Sequence, residues 1–350
     1  MWTQQDYYGV FARIPREKPQ YMPSKGVFLL DIEVELAWGM IDEKMNKRKV
    51  RNASKKVRIH LEDVIHLLER YEVPVTWGIL GHVILDRCDC RSGVPHPEMP
   101  RPSYTWMKRD WYEHDPCKEL SEEPAFYGRD ITDKIVHYMS QIKIPHDIAC
   151  HSFSHQLFGD PGCSREVAEA EVKRCIELIE ENYHIKPKVF IFPRDYPGHL
   201  DVLQKNGIIA FRGRIPHAIT YSESGGGVSN SLRKYACLAN HWTSFYLATP
   251  PPVVTPMQEH GLINIPASMS YNKKPFIPLR LITSKAKKGI EKAIEKREIF
   301  HLYTHLMNFG EVSNVKKFFE GFEEILSCAD LGRRRDELET TTIRRLAETV

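Results

Sequence analysis

The 350-residue sequence lacks several features that would place it outside the ordinary globular proteins. No window approaches the ~18 consecutive apolar residues that a membrane-spanning helix requires. The N-terminal stretch MWTQQDYYGVFARIPREKPQ has no apolar core of the kind found in signal peptides. The formal net charge is only +3 and no nucleic-acid-binding motif is present, so nucleic acid is not an expected partner. These absences predict a cytoplasmic globular protein.

Cysteine is sparse, and its spacing completes no zinc motif. The eight cysteines include one close pair, Cys88 and Cys90, and no second pair matches it. Because disulfides are rare in a reducing compartment, we expect the cysteines to be reduced and mostly buried thiols.

The sequence does contain a regular alternation of short apolar runs and amphipathic segments. Such alternation is typical of parallel strands covered by helices, and about seven strand–helix units suggest a barrel, complete or incomplete. The runs predict strands within 26–36, 74–80, 147–152, 188–193, 207–214, 262–268 and 298–305. Helical spacing predicts helices over 57–73, 131–142, 164–183, 199–206 and 314–331.

Two long irregular segments interrupt this alternation. Residues 83–130 are rich in Cys, Pro, Trp and charge, and residues 215–260 contain SGGG and ATPPPVVTP. Long irregular segments inside a domain are usually functional loops or disorder. We therefore predict an N-terminal extension, 1–24, followed by a single domain, 25–350, with loop insertions near 83–130 and 215–260.

Carboxylates gather where the first predicted strand ends. Asp31, Glu33 and Glu35 alternate along the chain, so an extended strand would point all three to one face. A row of carboxylates on a buried strand is costly unless something neutralises it. The pattern therefore predicts a cation nearby.

Imidazoles and a guanidinium follow three other predicted strands. His151 and His155 come after one strand, Arg194 follows another in the segment FPRD, and His301 and His305 lie in the last. The carboxyl ends of parallel strands meet at one edge of the sheet, which carries the active site in such folds. Each residue alone is more often structural, but together they indicate a site.

The combined inventory fits metal-assisted hydrolysis of an ester or amide. One carboxylate and two imidazoles are a common ligand set for a divalent catalytic metal. Such a metal acidifies water and polarises a carbonyl oxygen. A second carboxylate could then act as general base, another His as general acid, and an Arg could hold the base ionised.

Several segments resemble motifs of the NodB-type polysaccharide deacetylases, carbohydrate esterase family 4. HSFSH (151–155) is similar to the family's H-[ST]-x-x-H motif, and FPRD resembles its arginine motif. LLDIEVELAWG resembles the first motif of a branch that reads Asp-x-Glu-Leu-x-Trp-Gly, while FRGR and FHLYTHLMN resemble later strand motifs. The resemblance extends from about residue 25 to 345 and implies a distorted (β/α)7-type barrel.

The resemblance implies a metal-dependent deacetylase that removes N-acetyl groups from amino sugars. His151 and His155 would hold a divalent metal, with zinc the expected ion. Arg194 would orient the base, and His305 would be the general acid. His301 lies four residues before His305, and we interpret it as a packing residue or a support for the site.

The first motif leaves two registers open for the carboxylates. In one, Asp31 is the base and Glu33 the metal ligand, with Glu35 as a further catalytic carboxylate. In the other, alignment on Glu35-Leu36-Ala37-Trp38-Gly39 makes Glu33 the base and Glu35 the ligand. We favour the first, because it keeps a short carboxylate as the base.

We predict an amino-sugar derivative as the substrate, either a small glycoside or a nucleotide- or lipid-linked sugar. The basic segment 273–297 could make a peripheral contact with a membrane or with substrate phosphates. The alternatives are a hydrolase of another non-peptide carbon–nitrogen bond and a catalytically degraded homologue that binds a sugar or partner. The sequence does not indicate an oligomeric state.

Overall fold

The central strand of the molecule is β1 (Gly26–Val34), whose nine residues are all buried. It belongs to a computed structural model that describes residues 21, 23–43, 45–88, 90–91, 93–214, 245, 249–274, 276–311 and 314–350. Successive side chains of β1 point to opposite sides. Those of Phe28, Leu30 and Ile32 pack towards the surrounding helices, whereas Val27 and Leu29 belong to a smaller apolar cluster inside the sheet.

The main sheet is curled and almost entirely parallel. The strands that follow β1 in the chain are β2 (Thr76–Ile79), β3 (Cys90–Arg91), β4 (Val94–Pro95), β5 (Asp147–Cys150), β6 (Val189–Ile191), β7 (Ala210–Arg212), β8 (Met257–Glu259), β9 (Leu262–Asn264), β10 (Met269–Ser270), β11 (Ile299–His305) and β12 (Leu338–Thr341). The order in the main sheet is β10-β11-β1-β2-β5-β6-β7-β9-β8, and only β8 is antiparallel to its neighbour. Because β8 and β10 do not pair within the described residues, the barrel is open.

Helices cover the outside of the sheet. They are α1 (Lys47–Arg70), α2 (Arg129–Gln141), α3 (Arg165–Tyr183), α4 (Leu200–Lys205), α5 (Leu279–Lys296), α6 (Asn308–Glu311), α7 (Val315–Arg334) and α8 (Ile343–Ala347). Ser164 caps α3, where its hydroxyl accepts a hydrogen bond from the Val167 amide. The first helix begins ten residues earlier than the apolar spacing predicts, because Asn46 caps it at the Lys49 amide.

The predicted α/β barrel and its seven strands are confirmed. The sequence did not indicate β12, which lies beside the first half of β1 and pairs with Gly26–Leu29. It follows a polar stretch and is only half-buried, so it has no apolar pattern. The helix α8 follows β12, and its Ile343 and Leu346 side chains pack against the smaller apolar cluster inside the sheet.

Residues 83–130, which follow β2, are largely irregular and include the short strands β3 and β4. The prediction of reduced cysteines is wrong for two of them, since a disulfide joins Cys90 to Cys117. The chain turns back across the insertion and brings their Cα atoms to 5.9 Å, a proximity that 27 residues of sequence separation hide. Cys88, Cys150, Cys163 and Cys175 are free and buried, and Cys328 is half-buried.

Several predictions concern parts of the chain that the structure describes little. The extension 1–24 and the insertion near 215–260 fall largely outside the described residues. Among the residues described, no helix has both the length and the apolar composition needed to cross a membrane. Most of the basic segment 273–297 is α5, which buries one side against β1 and α7. Its contact with a membrane or phosphate stays a prediction, as does the cytoplasmic location.

Candidate active site

The carboxylates of the first motif occupy different places. Asp31 and Glu33 lie on the inner side of β1, whereas Glu35 follows the strand, at the start of a 3-10 turn (Leu36–Met40). Leu36 has a φ of 50°, so the backbone leaves the extended conformation directly after Glu35. A side chain on Gly39 would overlap the Glu35 carboxylate, which gives a steric reason for the glycine of this motif.

Three donor atoms converge where β1 and β5 end. Glu35 Oε2 lies 3.1 Å from His155 Nε2 and 3.2 Å from His151 Nε2. All three residues are buried. We call Glu35, His151 and His155 the strand-end cluster.

The backbone and its carbonyls hold the two imidazoles in place. Nδ1 of His151 donates to the Ile191 carbonyl at 2.8 Å, which directs Nε2 towards the carboxylates. Ser152 and His155 both have positive φ values, and the Ser152 hydroxyl accepts a hydrogen bond from the His155 amide. This tight turn returns His155 to the pocket beside His151.

The donor set and its charge fit a divalent cation. Two imidazole nitrogens and one carboxylate oxygen are typical ligands of zinc. Burial raises the pKa of Glu35, but the charges and hydrogen bonds of His305, His151 and His155 outweigh it and lower that pKa. Burial alone would lower the pKa of His151, but hydrogen bonds and charges from Glu33 and Glu35 raise it to about 10. The carboxylates Glu33 and Glu35 therefore favour a positive charge at this position.

A second carboxylate and a third imidazole complete the pocket. Glu33 Oε2 lies 3.2 Å from His151 Nε2 and 3.5 Å from His305 Nε2. His305 Nε2 also lies 3.4 Å from Glu35 Oε1, and its side chain is 27% exposed. Because the side chains of the strand-end cluster are nearly inaccessible, His305 marks the side from which a substrate can approach.

Arg212, at the end of β7, neutralises the carboxylates of β1. Its Nη1 donates to Asp31 Oδ2 and to Glu33 Oε1, both at 2.6 Å, and its Nη2 donates to Asp195 Oδ1 at 2.6 Å. The Tyr303 ring lies 4.1 Å from the guanidinium carbon. Burial would lower the pKa of Arg212, but the charges of Asp195, Glu33 and Asp31 raise it well above its usual value.

The sequence did not assign Arg212 to the site, although it lies in the FRGR segment. The position of Arg212 at the end of a predicted apolar strand could have indicated that it belongs to the site. Arg194, predicted to orient the base, instead pairs with Asp42 and Glu43 at 2.6 and 2.7 Å. A positive φ of 56° at Arg194 turns its backbone within the short turn after β6. The structure therefore places Arg212, rather than Arg194, on Glu33.

Asp31 lies deeper in the barrel than the other carboxylates and is fully buried. One oxygen binds Arg212, and the other is 2.7 Å from His301 Nε2. His301 Nδ1 donates to the Pro266 carbonyl at 3.1 Å, so His301 supports the site from behind, as the sequence indicates. Asp31 therefore faces Arg212 and His301, whereas Glu33 faces His151 and His305 beside the strand-end cluster.

The middle of the chain matches the model of a known protein family. Residues 58–205 match the model of the polysaccharide deacetylase family. The match includes His151 and His155 but begins after the carboxylates of β1 and ends before Arg212. It confirms the predicted resemblance to this family. A search of curated proteins gives no match.

Solved structures show the same fold at low sequence identity. A protein described as a polysaccharide deacetylase from Mycobacterium smegmatis superposes with a TM-score of 0.55 at 12% identity, covering 97% of this chain and 95% of that one. A protein of the same description from Pseudomonas aeruginosa PAO1 gives 0.52 at 10%, covering 92% and 89%. PuuE allantoinase also gives 0.52 at 10%, covering 96% and 97%. The predicted barrel of the NodB type is therefore confirmed.

Proposed function

We propose that this protein is a metal-dependent hydrolase that removes an N-acetyl group from an amino-sugar derivative. Glu35, His151 and His155 would hold the metal, for which zinc is the expected ion. The observation that carries the proposal is that both imidazole Nε2 atoms lie within 3.2 Å of Glu35 Oε2, beside a second carboxylate, Glu33. The family match over residues 58–205 supports deacetylation. The bound ion would supply Lewis acidity towards a carbonyl oxygen and acidify water.

Glu33 is the residue best placed to act as general base. Arg212 binds its Oε1, while its Oε2 faces His151 and His305. Burial would raise the pKa of Glu33, but the charges of Arg212, His305 and His151 outweigh it and lower that pKa, so the carboxylate is ionised at neutral pH. This arrangement supports the second register, with Glu33 as base and Glu35 as ligand.

His305 would be the general acid. It is the most exposed member of the pocket, and its Nε2 lies within 3.5 Å of both Glu33 and Glu35. Its Nδ1 lies 3.3 Å from Asn272 Oδ1, which fixes the ring orientation. An imidazole in this position can donate a proton to the leaving amine after Glu33 has accepted one from water.

The experiment that tests this proposal compares Glu33→Gln with Asp31→Asn. Purified variants are assayed for zinc content and for acetate release from a panel of N-acetyl amino sugars, free, nucleotide-linked and lipid-linked. We expect Glu33→Gln to retain zinc but lower turnover by about 10²–10⁴-fold, the usual contribution of a general base. Asp31→Asn should retain zinc and most of the turnover where it is folded, and Glu35→Gln should lose zinc.

Other outcomes identify other functions. Loss of zinc in Glu33→Gln together with loss of turnover in Asp31→Asn would restore the first register. Zinc binding without acetate release from any sugar would favour hydrolysis of another carbon–nitrogen bond, a chemistry that the shared fold of PuuE allantoinase makes the leading alternative. A folded protein that binds no metal would be a degraded homologue that binds a sugar or a partner.

A further inference from the structure

A second group of two imidazoles and one carboxylate lies away from the strand-end cluster. His82 belongs to the 3-10 turn after β2, and His96 and Asp115 belong to the insertion 83–130. Nε2 of His82 lies 2.7 Å from Asp115 Oδ2 and 3.0 Å from His96 Nε2, which is itself 3.0 Å from the same carboxylate oxygen. All three residues are buried. We call them the loop cluster.

Hydrogen bonds alone leave this triangle incomplete. A carboxylate oxygen only accepts, and each imidazole nitrogen either donates or accepts. Two protons at most are therefore available for three short contacts, and if both nitrogens carry one, two donors face each other at 3.0 Å. A cation bound by all three lone pairs satisfies the three atoms of the triangle at once.

The outer contacts of the loop cluster are those of metal-binding side chains. His96 Nδ1 lies 3.2 Å from Glu98 Oε1, so it donates outwards and leaves Nε2 free on the inside. The outer oxygen of Asp115 accepts hydrogen bonds from the Tyr127 hydroxyl at 2.6 Å and the Cys117 amide at 3.1 Å. These partners fix the direction of both donor atoms.

The hydrogen bonds around His82 allow either ring nitrogen to carry its proton. The Trp38 indole N–H lies 2.9 Å from His82 Nδ1 and 3.3 Å from the Phe126 carbonyl, and His82 Nδ1 lies 3.3 Å from that carbonyl too. If the indole donates to the imidazole, the proton of His82 is on Nε2. If both N–H groups donate to the carbonyl, His82 Nε2 is free to bind a cation.

We propose that His82, His96 and Asp115 form a second divalent-metal site, of the kind that binds zinc, separate from the catalytic pocket. It would fasten the insertion 83–130 to the barrel. Phe153, which lies between the two histidines of HSFSH, packs its ring 5.1 Å from that of His96. The metal would thus also support the turn that carries His151 and His155.

The test uses the full chain with the catalytic pocket disabled by His151→Ala/His155→Ala. After chelation, this variant is titrated with Zn²⁺ alone by calorimetry. We expect about one zinc per chain, falling to about zero when Asp115→Asn is added, because a neutral amide replaces the charged ligand. In the wild-type background, Asp115→Asn should lower the count from about two to about one. Glu113→Gln, a nearby exposed carboxylate, is the matched control and should change neither count.

The neighbouring cysteines are the competing location for a second zinc ion. Cys88 Sγ lies 3.7 Å from both Cys90 Sγ and Cys117 Sγ. A Cys90→Ser/Cys117→Ser protein should therefore keep its second zinc, and Co²⁺ in the site should show no sulfur charge-transfer absorption. The proposal is overturned if the folded His151→Ala/His155→Ala protein binds no zinc, if Asp115→Asn leaves binding unchanged, or if the thiol variant abolishes it. Circular dichroism of each variant establishes that it is folded.

Discussion

The strand-end cluster and the loop cluster contain the same types of ligand but differ in their surroundings. Beside the strand-end cluster lie a spare carboxylate, Glu33, a buried guanidinium, Arg212, and the partly exposed His305. Aromatic rings surround the loop cluster, including those of Tyr112, Tyr127 and Phe153. Two imidazoles and a carboxylate thus describe a cation site. A catalytic site is indicated only where a further carboxylate, a guanidinium that binds it and a partly exposed side chain are also present.

The largest expected difference between the clusters is in activity. His151→Ala removes a ligand from the catalytic pocket and should take acetate release below detection. His96→Gln affects a side chain with no atom in that pocket, so it should reduce turnover far less at a temperature where the variant is folded. Acetate assays with circular dichroism on both proteins make the comparison. Equal losses of activity in two folded proteins would show that the loop cluster also takes part in the chemistry.

The buried guanidinium of Arg212 lies beside the strand-end cluster, and its effect can be measured as a change in the free energy of unfolding. Arg212→Met leaves Asp31 and Glu33 buried without their cation and should lower the free energy of unfolding by about 3–5 kcal/mol. Arg194→Met is the matched control and should cost less than about 1 kcal/mol, because its ion pairs are partly exposed. Urea unfolding of both variants measures the difference. Similar costs would mean that Arg212 does not compensate the carboxylates of β1.

A smaller effect is expected at Glu171, which connects the surroundings of the two clusters. Its carboxylate accepts hydrogen bonds from the Ser154 amide and hydroxyl, next to His155, and from the Tyr112 hydroxyl, whose ring packs near His96. Burial raises the pKa of Glu171 to about 7, and the hydrogen bonds offset this only in part.

This raised pKa predicts a pH dependence of stability. The folded protein binds the proton of Glu171 more tightly than the unfolded chain, so the stabilisation is complete below about pH 4.5 and is lost as the pH rises through about 7. Relative to Glu171→Gln, the wild-type protein should lose about 3 kcal/mol between pH 4.5 and 8. Urea unfolding at a series of pH values measures the difference, and a constant difference would contradict the prediction.

The sequence indicated that His151 and His155 lie together after a strand, because a strand pattern and a spacing of four residues are local signals. It could not choose between Asp31 and Glu35, since that depends on where β1 stops. The strand ends at Val34, and the left-handed residue Leu36 then turns the chain. No apolar pattern encodes that turn.

Arg212 and the loop cluster were missed for a different reason. Arg212 belongs to the site only because β7 lies in the same curled sheet as β1, and its bond to Asp31 spans 181 residues. The members of the loop cluster come from short or irregular segments, in which the spacing of apolar residues predicts no helix or strand. Their proximity depends on how the insertion 83–130 folds back on the barrel.

The placement of β1 in the sheet has a consequence for protein synthesis. This strand is synthesised before β11, with which it pairs along its length, and before β12, with which its first half pairs. Asp31 and His301, for example, are 270 residues apart. A nascent chain therefore carries β1 with one unpaired edge until β11 has been synthesised. Contacts of such long range also slow folding and lengthen the time for which the edge of β1 is exposed to incorrect pairing.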